Sequence, residues 1–259
     1  DSSLKKIPDE ITGICALLDE LGYQFNIIDE DEDFRKYKIV ILPDNILCSD
    51  FLADKIDNYI ADGGRLIASY RSGLNYSETE FAIKRLGISL VGDAPYSPDF
   101  LVPTSEYGKR LFKTEYVMYN QGKEIKINDA KEVVKAYIPY FNRTWEHFCS
   151  HLHTPSSHKY GYPGITECKG NYYFMHPIFS IYQEKHPKWC KEFLRDVLET
   201  LIPQPLIKHN GPSTMTVTVN EVTLVPDKEQ LDYEIFQNNE ISFTVPKISG
   251  HCMIELSYK

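Results

Sequence analysis

The richest chemistry in this sequence lies in one stretch, Pro139-Tyr140-Phe141-Asn142-Arg143-Thr144-Trp145-Glu146-His147-Phe148-Cys149-Ser150-His151-Leu152-His153-Thr154-Pro155. It holds three of the eight histidines and one of the two tryptophans, so any site the chain carries is expected here first. In an extended strand, His147, Cys149, His151 and His153 would share one face, because side chains alternate with period 2. Imidazoles and a thiolate on one face are a conceivable metal set. Against it, Glu146 precedes His147 where a zinc helix would carry its base after the first His, so no metal is assigned. The same stretch suits a sugar: Tyr140 and Trp145 offer flat apolar faces, and Asn142, Arg143, Glu146, His147 and His151 offer directional hydrogen bonds. Packing of the segment against a sheet or a neighbouring domain is the competing reading. Glycosidic cleavage needs two carboxylates at a fixed separation, and Glu146 is alone in the motif.

A second position invites nucleophilic chemistry. A reactive Ser or Cys on a tight turn after a central strand is exposed and activated at a helix N-terminus. The corresponding turn here follows residues 65–70 and reads Arg71-Ser72-Gly73. Arg71 stays protonated and cannot attack. Ser72 lacks a GxSxG frame and has no His within several dozen following residues, so the turn reads as degenerate. Gly63-Gly64 precedes a strand instead of following one, and no phosphate-cradling glycine motif occurs; no nucleotide and no other cofactor is expected.

The elements around these positions alternate. Ile11, Ile14, Cys15, Leu17, Leu18 and Leu21 recur at helical spacing and Gly22 stops them. Residues 23–28 read as a short strand and 38–43 as a buried parallel one. Ser49 caps a helix over 50–62, residues 65–70 form the next strand, and 77–86 read as another helix. Strands alternating with helices predict a parallel sheet covered on both faces. The first helix starts near Pro8 with only polar residues ahead of it and no leading Met, so the central strand is expected upstream on a longer parent chain. Residues 93–163, rich in Pro, Tyr and Ser, read as an irregular β insertion. Lys169-Gly170 reads as a hairpin turn, and 187–201 as an amphipathic closing helix. Asn210-Gly211-Pro212 marks a linker, beyond which the runs 214–219, 222–225, 231–236, 241–245 and 253–257 predict a small all-β module. The expected domains are therefore 1–209 and 210–259.

Composition narrows the classes. Over 259 residues, 42% hydrophobic and 25% charged residues are ordinary globular usage, which excludes disordered and collagen-like chains. A formal charge of −9 argues against nucleic acid and anionic membranes as partners. No apolar run is long enough to span a bilayer, and residues 1–6 lack the apolar segment of a signal peptide. Six cysteines without a CxxC pair read as reduced thiols of a cytoplasmic protein.

Residues 11–21, Arg35-Lys36-Tyr37-Lys38-Ile39-Val40-Ile41-Leu42-Pro43 and Tyr59-Ile60-Ala61-Asp62-Gly63-Gly64-Arg65-Leu66 resemble the trimerisation domain of family 42 β-galactosidases. That resemblance implies a flavodoxin-like, class I glutamine amidotransferase-like α/β fold without the catalytic triad, in keeping with Arg71 at the nucleophile turn. A more specific resemblance rests on Asp93-Ala94-Pro95-Tyr96-Ser97-Pro98-Asp99, the stretch from Tyr140 to His151, and His176-Pro177-Ile178-Phe179 with Tyr182. With residues 243–251, these are similar to the C-terminal half of glycosidase-like proteins grouped with family 151 α-L-fucosidases. In those relatives a catalytic barrel precedes this region, and they carry more sequence between segments like 214–220 and 222–225. The resemblance implies a non-catalytic C-terminal region that assembles subunits as a homo-oligomer, such as a trimer. It would help shape the active site of an upstream barrel that hydrolyses a terminal sugar, with Asn142, Arg143, Trp145, Glu146, His147 and His151 on the substrate rim. The alternative is a free-standing amidotransferase-like module that binds a carbohydrate or another small molecule.

Overall fold

In the computed structural model, the described residues are 7–205, 216–218, 223–225, 229–235, 241–245 and 253–255. Residues 1–6 and the linker signal at 210–212 lie outside them, as does most of the 243–251 segment. The chain divides into two compact units, Asp1–Cys15 with Ile28–Gln204, and Ala16–Ile27 with Pro205–Lys259.

The first unit is mixed α/β. Helix α1 spans Asp9–Leu21. β1 (Ile39–Leu42), α2 (Asp50–Ala61) and β2 (Arg65–Ser69) follow at the expected places. Ser49 caps α2 by accepting from the Leu52 amide at 3.1 Å, and Leu52, Ala53, Ile56, Tyr59 and Ile60 form its buried face. The Tyr59 ring lies so close to Gly64 that an added Cβ would meet it at 2.2 Å. That contact lets the Tyr59 hydroxyl reach the Arg65 carbonyl at 3.3 Å and fixes where β2 begins.

The sheet then departs from the expected parallel one. β1, β2 and β9 (Asn171–Phe174) are parallel neighbours. The insertion extends the same sheet: β4 (Asp99–Val102), β5 (Tyr116–Met118), β7 (Lys131–Pro139) and β8 (Ser156–Cys168) give the order β1-β2-β9-β8-β7-β4-β5. The cause is the hairpin at Lys169-Gly170. Both residues take positive φ, 50° and 86°, which turns β9 back against β8 and carries the antiparallel strands onto the sheet. β3 (Ile88–Asp93) and β6 (Lys123–Ile127) form a separate pair. α3 (Ile178–Lys185) and α4 (Lys188–Leu201) follow β9. On α4 the buried Asp196 carboxylate accepts from the Gly108 and Lys109 amides at 2.6 and 3.0 Å and from Arg110 at 2.8 Å, tying the loop before β5 to the helix.

Two other expectations are corrected. Residues 23–28 join no ladder among the described residues, since alternation makes a strand only where a partner strand lies alongside. Residues 77–86 are turns with a single 3-10 turn, Lys84–Leu86. The Asn75 side chain takes the Thr79 amide at 2.9 Å and Glu78 sits at φ 53°, so the backbone is diverted before a helix can propagate.

The described strands of the second unit are β10 (Thr216–Thr218), β11 (Thr223–Val225), β12 (Glu229–Gln230), β13 (Tyr233–Ile235), β14 (Ile241–Phe243) and β15 (Met253–Glu255). They make one sheet in the order β10-β15-β11-β12 and a β13–β14 pair. No helix among the described residues is long and apolar enough to cross a membrane.

Candidate functional site

Residues 140–155 form the loop at the tip of the β7–β8 hairpin, and none of them is in a strand. The extended, one-faced arrangement of His147, Cys149, His151 and His153 is therefore absent. The loop instead closes on itself. The Tyr140 amide donates to the Pro155 carbonyl at 3.3 Å, Thr154 Oγ1 to the Phe141 carbonyl at 2.7 Å, and Arg143 Nη1 to the Leu152 carbonyl at 3.2 Å. The Thr144 hydroxyl accepts from the His147 amide at 3.0 Å. Asn142 anchors the loop to residues 95–97: its Oδ1 accepts from the Ser97 amide at 3.0 Å and its Nδ2 donates to the Pro95 carbonyl at 2.7 Å. His153 turns inward between the rings of Phe100 and Tyr119, and its Nδ1 is buried without a partner.

The remaining candidates point the other way. Arg143, Trp145, Glu146, His147 and His151 are exposed. Trp145 is 86% exposed, and Phe148, Leu152 and Tyr140 are 72%, 71% and 65% exposed. Large apolar side chains gathered on one loop mark an interaction or ligand surface. Among the described residues no group of three or more His, Cys, Asp or Glu could hold a metal ion.

A second feature lies at the carboxyl ends of the three parallel strands, where α/β sheets place ligand crevices. A cleft of about 520 Å³ opens there, lined in part by Asn45, Tyr70, Tyr119, Gln121, Ser180 and Lys185. Beneath it the fully buried Asp44 accepts from Ser69 Oγ, the Ser180 amide and Ser180 Oγ, each at 2.7 Å. Its carboxylate caps the first turn of α3 from the end of β1. Burial pushes the Asp44 carboxyl up to about 6 even though these donors pull it down.

The expected nucleophile turn is here too. Arg71 pairs with Glu78 through Nε at 2.7 Å and through Nη2, and Nη1 lies 3.4 Å from the Asn45 amide oxygen. Ser72 is buried and accepts from the Ile46 amide at 3.0 Å. The strained residue of the turn is Tyr70, at φ 53°, with Lys123 Nζ 5.5 Å from its ring centroid. Sequence reasoning missed it because a left-handed Tyr leaves no mark in composition or periodicity.

A third group was also missed. His176 Nε2 lies 2.6 Å from Asp99 Oδ1, and the Tyr162 hydroxyl donates to Asp99 Oδ2 at 2.7 Å. All three are buried, and His176 Nδ1 has no partner. Burial and the neighbouring Asp99 carboxylate raise the Tyr162 hydroxyl well above the usual tyrosine range. These residues lie up to 77 positions apart, so only the sheet brings them together.

The first helix, β1, α2 and β2 carry one likeness. Residues 8–85 match the family model of the β-galactosidase trimerisation domain. Among solved structures, all of this chain superposes on α-L-fucosidase isoenzyme 2 from Paenibacillus thiaminolyticus, with a TM-score of 0.82 and 27% identity, and covers 46% of that chain. It also resembles the β-galactosidase from Bacillus circulans sp. alkalophilus, with a TM-score of 0.53 and 18% identity over 80% of this chain and 29% of that one. A ThuA-like protein from Bacteroides uniformis shares the fold at a TM-score of 0.55 and 11% identity, over 78% of this chain and 89% of that one. No curated protein sequence matches. The chain thus spans less than half the length of the fucosidase it is similar to.

Proposed function

We propose that this chain is the non-catalytic C-terminal oligomerisation and active-site-shaping region of a glycoside hydrolase acting on terminal sugars, of the α-L-fucosidase or β-galactosidase class. The observation that carries this reading is the likeness of the entire chain to under half of a fucosidase. The trimerisation-domain match over residues 8–85 supports assembly with further copies. Residues 1–209 form the flavodoxin-like, amidotransferase-like domain and 210–259 the small β domain. Arg143, Trp145, Glu146, His147 and His151 form the rim facing the upstream barrel, and Asn142 holds their loop in place. Thiols at the described cysteines support a cytoplasmic protein.

The loop supplies the physical argument. A cluster of exposed aromatic and apolar side chains beside Arg143 has the composition of an interface anchor. Sedimentation equilibrium of the chain tests assembly. The reading expects a concentration-dependent oligomer, a trimer among the states fitted, and a monomer at all concentrations counts against it.

The cleft under Tyr70 favours a second reading, a free-standing binding module for a carbohydrate or another small molecule. A ThuA-like protein built almost entirely of this fold supports that alternative.

A further inference from the structure

The cleft at the carboxyl ends of the parallel strands is walled by side chains that their own neighbours hold in place. The Asn45 carboxamide is fixed at both ends, with Nδ2 donating to Glu10 Oε1 at 3.2 Å and Oδ1 lying 3.4 Å from Arg71 Nη1. Gln121 Nε2 donates to the Ala94 carbonyl at 2.7 Å, which leaves Oε1 for a donor. The Tyr119 ring packs edge-on against His153, with centroids 5.4 Å apart. Side chains locked in this way bind a ligand without a large ordering cost. Tyr70 adds an independent observation. It holds φ 53°, where a glycine would sit without strain, and the Tyr173 hydroxyl ties down its carbonyl. A bulky residue kept in that conformation on the wall of a cleft marks a functional position.

The charges around the cleft select against ionic ligands. A helix N-terminus commonly offers its amides to an anion, but the first turn of α3 has already spent them. The Ile178 amide donates to the His176 carbonyl at 2.9 Å and the Ile181 amide to the Pro177 carbonyl at 3.0 Å. The Phe179 and Ser180 amides go to the Asp44 carboxylate, at 3.5 and 2.7 Å. That buried carboxylate also repels an incoming anion. The cations beside the walls are paired: Lys185 with Glu184, Arg71 with Glu78, and Lys123 with Asp93. A ligand of either charge would have to break one of these pairs or face a like charge. Neutral carboxamides and tyrosine rings are what the cleft has to offer.

We propose that this cleft binds an uncharged, polyhydroxylated ligand of monosaccharide size. A carboxamide donates to one hydroxyl and accepts from another, and a tyrosine ring covers the apolar face of a sugar ring. The cleft, about 520 Å³, lies within the range of about 300–1,000 Å³ usual for small-molecule sites. None of the residues on its walls belongs to the exposed 140–155 loop. The proposal deepens the second reading above: it rests on that reading for the use of the cleft and adds the class of ligand.

NMR shifts of the Asn45, Asn120 and Gln121 side-chain amides test it, with neutral sugars titrated against charged ones of the same shape. The probes are D-galactose with D-galacturonate and D-galactosamine, and D-glucose with D-glucuronate and D-glucosamine. At least one neutral sugar is expected to shift these signals with a Kd below about 10 mM, and its charged partners to bind at least about tenfold more weakly. Tyr70→Gly, which suits φ 53°, is expected to keep its Tm while binding the neutral sugar at least about tenfold more weakly. A charged sugar that binds as tightly as its neutral partner overturns the proposal and leaves the second reading standing. Shifts confined to residues 140–155, or unchanged binding by Tyr70→Gly, also overturn it. No shift with any of the sugars overturns the proposal and the second reading together. Should Tyr70→Gly unfold, the wild-type shifts decide alone.

Discussion

Replacing Trp145 with Ala separates an interface anchor from a packing residue. At 86% exposure the side chain contributes little to the fold of its own chain. Of about 250 Å² for a tryptophan, roughly 35 Å² is covered, worth about 0.9 kcal/mol at ~25 cal/mol/Å². For a unit of this size that is a fall in Tm of about 2–4 °C. Under the proposed function the remaining area, roughly 215 Å², is available to a barrel or a second subunit. Complete burial sets an upper bound of about 5 kcal/mol, and measured anchors of this type give about 2–4 kcal/mol. The share expressed in transition-state binding should be about 1–3 kcal/mol, a fall in kcat/KM of roughly 5- to 150-fold. The assay compares melting curves, sedimentation and kcat/KM of the parent enzyme with and without the substitution. Unchanged assembly and kinetics would refute the reasoning, and a collapse of Tm with wild-type kinetics in the surviving enzyme would make the loop structural packing.

Other consequences concern the framework. The Asp44 carboxyl is raised to about 6 when folded, against about 3.9 when unfolded. The folded state therefore binds the proton more tightly, and its contribution to stability falls as pH rises from 4 to 6. Relative to Asp44→Asn, the wild type should lose about 2 kcal/mol of unfolding free energy between pH 4 and 7 in urea titrations, and a flat difference would show that the carboxyl does not titrate there. Gly13→Ala should destabilise by about 2–4 kcal/mol despite the better helix propensity of Ala, because the new Cβ would stand 2.0 Å from the Phe179 carbonyl oxygen; a rise in Tm would contradict this. Tyr162→Phe should cost about 1–3 kcal/mol by leaving the buried Asp99 Oδ2 without its hydroxyl donor, as read from denaturant midpoints.

What could be read in advance depended on how local the determinants are. Ser49, the face of α2 and the apolar runs of β1 and β2 act within a few residues, and the sequence pattern located them. So did the Lys169-Gly170 turn, whose backbone conformation is written in its dipeptide. The joining of the insertion to the same sheet was not legible, because it follows from the free edge of β9 and not from any pattern within residues 93–163. The site behaved alike. The 140–155 stretch was legible by residue type, yet its form depends on Asn142 reaching residues 95–97 and on His153 packing against Phe100. The one-faced arrangement that an extended strand would give His147, Cys149, His151 and His153 is not formed in the closed loop. Asp44, Asp99 and His176 carry no local signal, since each is defined by partners on another strand or helix.

The central claim is that the catalytic groups belong to another part of the parent enzyme and this chain serves assembly. Hydrolysis of nitrophenyl α-L-fucoside and nitrophenyl β-D-galactoside, measured side by side for the natural polypeptide and for purified residues 1–259, tests it most directly. Turnover of one of the two substrates by the natural polypeptide and none by residues 1–259 is the expected result. Turnover by residues 1–259 that survives purification to homogeneity, or none of either substrate by the natural polypeptide, would contradict it.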